Sequence, residues 1–352
     1  MQNFYGFNLN SLDRAAETLR RYPDNEQIQS ACIRQAAMTC LFNRATSVAA
    51  GEAGLVELAV AGFRKFKDHA SFQELGFLGC FFDYSPENVK RFRALDGISF
   101  VHEVIKAHYN NTWVQFQAFC AFSSGCGHGN QEACGAEEGL IETMVQVMKD
   151  HRTVRVREEV MQVVKQISAA PDFRKRLVQA GVVPQLVQVL QERTDSKTDQ
   201  SVACEAMFHL VEPDLSQIHT SNKTFTSEMQ TLLAREGALD QIIKSVDLAK
   251  TLTLPPGFGG QNAAALEQYN IERSCFSALA TLAWRHSSNQ DSLVRLGAPA
   301  QIAEAMRAKP NDGGLQTVAC AALHVLAEDN AANKLAVDSA SPPSCSGRIF
   351  AF

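Results

Sequence analysis

Residues 180–190 read AGVVPQLVQVL, and the fold follows from working outward from them. Gly181 ends the short stretch FRKRLVQA (173–180), because glycine adopts a left-handed backbone at little cost. Asp172 is placed to cap that first short helix. Pro184 falls in the first turn of the next helix, where its missing N–H loses no bond. Leu186, Val187 and Leu190 then recur at helical spacing, one buried stripe. A polar turn, ERTDSKTDQ (192–200), leads to SVACEAMFHLV (201–211). There Val202, Ala203, Ala206, Met207 and Leu210 form a second stripe. One short helix and two longer ones make a unit that cannot bury its apolar faces alone.

The unit recurs. Its anchor glycines are Gly54, Gly97, Gly139, Gly181, Gly237 and Gly297, spaced 43, 42, 42, 56 and 60 residues apart. Such a period is the mark of a helical solenoid, in which each repeat packs only on its neighbours. That explains how 352 residues fold without one oversized core. The net charge of −5 supplies no field that would draw the whole chain to nucleic acid or a membrane surface. No window approaches eighteen uninterrupted apolar residues, so no membrane span is expected. The first residues, MQNFYGFNLNSLDRAAETLRRYP, lack the basic and apolar regions of a signal peptide. Of ten cysteines, Cys32, Cys40, Cys80, Cys120, Cys204, Cys275 and Cys320 sit in helical apolar patterns. They read as free buried thiols of a reducing compartment, cytoplasm or nucleus.

The unit resembles an armadillo repeat. The likeness rests on AGVVPQLVQVL (180–190), matched more loosely by LGAPAQIAEAM (296–306), and on ALATLA (278–283) and ALHVLA (322–327). HEAT repeats share the period but lack the short first helix. The resemblance implies an all-α, right-handed α-α superhelix of about seven repeats, some partial, over residues 1–340. A second echo supports it: LRRYPDNEQIQ (19–29) aligns without gaps to MRAKPNDGGLQ (306–316). In both, proline ends the second helix, and Asp24 or Asp312 is placed to cap the third. By this alignment the chain begins at a second helix and ends soon after a further repeat opens. Residues 341–352, SPPSCSGRIFAF, break the pattern, as a cap or as the mark of a truncated product. The two long intervals place insertions near 212–226 and 251–268, which map to surface loops.

No catalytic signature emerges. GFGGQ (257–261) follows a double proline rather than a strand and lacks the Lys-Ser/Thr of a phosphate loop. Cys120, Cys126, His128 and Cys134 offer four soft ligands, yet their spacing matches no standard zinc finger, and no metal or cofactor is expected. Glu205 and His209 form an i, i+4 pair that reads as a solvated pair, not a proton relay. Basic residues gather at Lys149, His151, Arg152, Arg155, Arg157 and Lys165, then at Arg174, Lys175 and Arg176. A stripe like this can hold acidic peptide, phosphate or RNA.

In armadillo peptide binders a late Asn of the third helix holds the peptide backbone, and import receptors add a Trp one turn earlier. Carried over, the Asn position falls on Cys40, Ala121, Gln166, His209, Thr281 and Val325. The Trp position falls on Ala36, Gln117, Gln162, Glu205, Ser277 and Ala321. Neither residue type occupies its position, so an import-receptor role is not expected. The stretch around Gly79 and Cys80 is too divergent to assign these positions. The expected function is a non-enzymatic scaffold that binds a protein along the groove of third helices. Its candidate contacts are Gln117, Arg155, Arg157, Gln162, Lys165, Gln166, Glu205, His209, Ser277 and Thr281. The alternatives are an RNA or acidic-lipid binder using the 149–176 basic patch, and a structural subunit of a cytoskeletal or transport assembly.

Overall fold

A computed structural model describes residues 9–40, 43–76, 81, 85–127, 129–151, 153–212, 222–251, 270–340 and 345. Among them every regular element is an α-helix. The chain divides into two compact units, residues 1–173 and 174–352. The first holds α1 (Leu9–Arg21), α2 (Glu26–Cys40), α3 (Arg44–Glu52), α4 (Leu55–Lys65), α5 (Ala70–Gln73), α6 (Pro86–Ala94), α7 (Gly97–Ala107), α8 (Thr112–Gly125), α9 (Gln131–Ala136), α10 (Leu140–Asp150) and α11 (Val154–Ser168). The second holds most of α12 (Pro171–Ala180), then α13 (Val182–Glu192), α14 (Lys197–Val211), α15 (Asn222–Arg235), α16 (Ala238–Thr251), α17 (Ile271–Ala283), α18 (Ser287–Arg295), α19 (Ala298–Ala308), α20 (Gly313–Ala327) and α21 (Ala331–Ser339).

The short-long-long unit recurs along the chain, with two exceptions among the described residues: the third helix α5 has only four residues, and the first helix α15 has 14. First helices α3, α6 and α18 are nine residues each. The turn into the second helix is left-handed at Gly54, Gly139, Gly181, Gly237 and Gly297, with φ between 76° and 92°. One anchor differs from the sequence reading. Asp96, not Gly97, takes the positive φ of 50°, and Gly97 opens α7. Gly97 is needed for space instead: a Cβ there would lie 2.2 Å from the Phe92 ring. Two caps also shift. Asn25 rather than Asp24 accepts from the Ile28 N–H at the start of α2, and α12 begins at Pro171, so Asp172 lies inside its first turn. Asp312 caps α20 as expected, accepting from Leu315 N–H at 2.9 Å.

Third helices pack side by side, α8 with α11 in the first unit, α14 with α17 and α17 with α20 in the second. Leu186, Val187 and Leu190 of α13 are buried, each contributing about 1.5–3 kcal/mol relative to an exposed side chain. A repeated polar clamp fixes the angle between second and third helices. The amide of Gln29 donates to the carbonyls of Leu19 and Tyr22, ten and seven residues back. Gln73 does the same to Phe63 and Phe66, and Gln115 to Ile105 and His108. In the second unit Gln200 reaches Leu190 and Arg193, and Gln316 reaches Met306 and Lys309. The inner carbonyl of each pair ends a second helix and has no backbone donor, while the outer one also accepts from a turn N–H, so one buried amide closes the first and adds a bond to the second. Gln29 and Gln316 are the aligned residues of the sequence echo. Arginines tie neighbouring repeats in a similar way: Arg20 donates to Ala53 O, Arg64 to Leu95 O and Arg307 to Ala340 O, each at the end of a first helix.

The cysteines are not all free. Cys126 is bonded to Cys134, and Cys320 to Cys345. The apolar patterning that suggested isolated thiols reports burial, not whether a partner sulfur is near. Cys40, Cys204 and Cys275 are buried thiols outside any disulfide, and burial pushes the Cys275 thiol well above its usual value. The bond also removes Cys126 and Cys134 as thiolate ligands, and His128 lies outside the described residues. So do most of both insertions and all of 341–352 except Cys345, although α15 begins inside the first insertion, at Asn222. Among the described residues no single helix is long and apolar enough to cross a membrane.

Candidate functional site

The third helices carry the candidate contacts, and each unit presents its own set. In the first unit, α8 starts at Asn111, whose side chain caps the N–H groups of Trp113 and Val114. The next turn places Trp113, Phe116 and Gln117 on the side away from the core residues Val114, Ala118 and Phe119. Trp113 is 43% exposed, one of few large apolar side chains left at the surface. Arg155, exposed at the start of α11, lies over both rings, 6.0 Å from the Trp113 centroid and 5.8 Å from that of Phe116. Below this cluster Gln117 borders a cavity of about 20 Å³, room for one water, together with Phe63, Gln73, Gly76 and Phe100. Gly76 is required there, since a Cβ would lie 2.1 Å from the Gln117 amide and its φ is +52°. The third helix of that repeat, α5, is only four residues long.

Tyr109, in the turn before α8, is edge-on to His151 at 5.2 Å, and its hydroxyl donates to Asp150 Oδ2 at 2.7 Å. Burial, the bond to Asp150 and that carboxylate's charge push the Tyr109 phenol up to about 12. It remains a neutral donor throughout the physiological range.

The other candidates in the first unit divide. Gln162 and Lys165 are half-buried on α11. The Gln166 amide donates to Ser123 O at 2.7 Å, tying α11 to the end of α8. Arg157 is only 5% exposed and cannot meet a partner, because the turn of α11 that presents Arg155 outward carries Arg157 inward. In the second unit, Glu205 of α14 accepts from Ser274 Oγ at 3.2 Å. His209 Nδ1 lies 3.2 Å from Glu212, and the His209 bond, reinforced by Arg174, holds that carboxyl below its usual range. Ser277 is half-buried. Thr281 is 3% exposed, its hydroxyl directed back to Ser277 O and Ala278 O, so it belongs to the α17 core rather than to a groove. Cys40, Ala121 and Val325, three further positions carried over for Asn, are buried as well. Four of the six positions carried over for Asn are therefore buried between helices, while Gln166 and His209 are half-buried.

The basic patch is similarly dispersed. Arg157 and Arg174 are each 5% exposed, the latter paired with Glu212. The sequence reading missed Trp113 and Phe116. Their i, i+3 spacing near the start of a third helix, with a tryptophan among only two in the chain, was the available signal.

A stack of three-helix units, each with a second and third helix packed on its neighbours, defines a helical-repeat protein. No family model matches the sequence, and no curated protein is similar to it. Solved structures do share the fold. One is an engineered protein, at a TM-score of 0.64 over 94% of this chain and 82% of its own, with 15% identity. A designed armadillo repeat protein is similar at a TM-score of 0.54, covering 90% of this chain and 99% of its own, again at 15% identity. A structure described for a phosphorylation switch controlling the interaction between cadherin and beta-catenin is similar at 0.58, over 94% of this chain and 57% of its own, with 13% identity. The chain has the armadillo-repeat fold.

Proposed function

We propose that this chain is a non-enzymatic scaffold that binds a partner protein along the exposed faces of its third helices. The observation that carries this reading is the Trp113–Phe116–Arg155 cluster. An exposed tryptophan and a half-buried phenylalanine on one third helix lie beneath an exposed cation from the next. Among the described residues no group of His, Cys, Asp or Glu is arranged to hold a metal ion. The shared fold adds support, since it serves an interaction between cadherin and beta-catenin in one of the similar structures.

Amine-reactive cross-linking of a captured partner, read by mass spectrometry, tests the surface. Lys165 and Lys197 lie on third helices, whereas Lys106 and Lys244 lie on second helices. Cross-links through Lys165 and Lys197 support the reading. Cross-links confined to Lys106 and Lys244 would place the partner on the opposite layer and refute it.

A further inference from the structure

Within the second unit, Cys204 on α14 and Cys275 on α17 meet between two third helices. Both are fully buried, and their Sγ atoms stand 2.6 Å apart. Two thiolates on one tetrahedral zinc ion stand about 3.8 Å apart, so the pair is too close to flank a metal. A disulfide needs about 2.05 Å. Cys40, the other buried thiol outside a disulfide, donates to Thr46 O at 3.5 Å. Cys204 and Cys275 have no such carbonyl among the described residues, and each has the other sulfur as its hydrogen-bond partner. Hydroxyls hold the two helices at this level. Ser274 Oγ donates to Glu205 Oε1 at 3.2 Å, so in its 2.8 Å contact with Ser201 Oγ the proton comes from Ser201. Ser201 lies nearly one turn before Cys204, and Ser274 one residue before Cys275. The sulfurs are 71 residues apart in sequence, and the chain between them holds α15, α16 and both long insertions, near 212–226 and 251–268.

We propose that Cys204 and Cys275 are an oxidation site: a small-molecule disulfide of the glutathione class converts the pair to a disulfide that staples α14 to α17 across both insertions. The step is two thiol–disulfide exchanges. One cysteine thiolate attacks a sulfur of the oxidant, forming a mixed disulfide and releasing one small thiol. The second cysteine thiolate attacks the protein sulfur of that mixed disulfide, closing the Cys204–Cys275 bond and releasing the second small thiol. Two protein S–H bonds and the oxidant's S–S bond are lost. One protein S–S bond and two S–H bonds of the released thiols are gained, and two electrons pass to the oxidant. In the folded chain the sulfurs are closed off, and burial holds the Cys275 thiol protonated. The exchange therefore runs while the second unit folds, before α14 and α17 seal the pair. Once closed, the bond shortens the unfolded chain's freedom over a long loop, so the stretched repeats gain stability that their interrupted packing lacks.

The full chain is unfolded and reduced in urea with dithiothreitol, then refolded in a mixture of oxidised and reduced glutathione. Remaining thiols are alkylated, and tryptic peptides are mapped by mass spectrometry without reduction. Trypsin releases Cys204 in peptide 198–223 and Cys275 in peptide 274–285. The expected result is that most of the chain yields these two peptides joined, lighter than their sum by two hydrogens, with Cys40 alkylated. Alkyl label on both peptides in most of the chain, or either peptide joined to a different cysteine, would overturn the proposal. The map uses the unaltered sequence and needs no variant to fold. A second measurement reads the staple itself. Trp113→Phe/Cys320→Ala/Cys345→Ala leaves Trp284 as the one fluorophore and Cys204 and Cys275 as the only cysteines of the second unit. Dithiothreitol should lower the urea midpoint of this oxidised variant by about 1–2 M. Adding Cys204→Ala/Cys275→Ala should abolish the response to dithiothreitol. A midpoint that dithiothreitol leaves unmoved before those two substitutions, or moves equally after them, refutes the staple. Neither measurement involves a partner, so its failure leaves the scaffold reading untouched.

Discussion

Replacing Gln200 by leucine tests whether the glutamine clamp holds the repeat together. Gln200 is fully buried, and its amide donates to Leu190 O at 3.0 Å and Arg193 O at 2.9 Å. Arg193 O keeps a second donor, Ser196 N–H, so it loses one ordinary bond worth about 1 kcal/mol. Leu190 O keeps none outside the clamp and becomes a buried carbonyl without a partner, at about 1–3 kcal/mol. The hydroxyl of Ser245 also loses its acceptor on Gln200 Oε1, although Gln241 O remains. Leucine is close in volume and returns some apolar burial, leaving a net loss of about 2–3 kcal/mol. Gln115 is the internal comparison. It is equally buried and clamps Ile105 O and His108 O, but its own Oε1 has no partner. Gln115→Leu removes that orphan acceptor along with the two bonds, so its net cost should be about 1–2 kcal/mol smaller. The chain has two tryptophans, one in each unit, so Trp113→Phe leaves Trp284 to report the second unit and Trp284→Phe leaves Trp113 to report the first. With a urea slope of about 2 kcal/mol per M, Gln200→Leu moves the midpoint of the second unit down by about 1–1.5 M. A shift below about 0.25 M, or a larger loss for Gln115→Leu than for Gln200→Leu, would refute this account of the clamp.

Three further outcomes are expected. His102 is 1% exposed between Glu137 (3.2 Å) and Thr143 (3.1 Å), and burial, only partly countered by Glu137, holds its pKa below the usual 6.5. The unfolded chain then binds the proton more readily. Stability should be full above pH 6.5 and fall as pH drops below it toward the folded pKa, in a slope that His102→Gln abolishes on urea titration. Gly51→Ala should destabilise by about 1–3 kcal/mol despite alanine's better helix propensity, because its Cβ would lie 1.8 Å from Asn88 Oδ1. Asn88 itself is held by Ser47 O and Phe81 O and cannot yield. Gly313→Ala, at the first turn of α20 with nothing near its Cβ, should instead be neutral or stabilising by up to about 1 kcal/mol in thermal melts.

The fold was legible because its signals are local. A glycine after an apolar octet, a proline in the next first turn and a stripe at i, i+1, i+4 each report a backbone need within one helix of itself. The clamp was half legible. The echo that aligns Gln29 with Gln316 was visible, but that the amide reaches back ten residues required the angle between two helices. Gly97 misled for a related reason. Sequence spacing cannot tell a glycine needed for positive φ from one needed to clear a phenylalanine, and only the position of Phe92 decided it. The site was least legible. Arg155 and Arg157 look equivalent in a basic run, yet 100° of helical rotation per residue puts them on different sides of α11, one on an aromatic platform and the other in the core.

By itself the sequence determined the repeat, the helix order and the left-handed turns, since these depend on conformational preferences of a few adjacent residues. The tertiary structure decided which polar side chains close carbonyls in the interior and which stay at the surface. It also decided which cysteines meet and where an aromatic pair gathers a cation. Those outcomes depend on how neighbouring helices are rotated and spaced, and residues some forty positions apart touch only once the helices have packed.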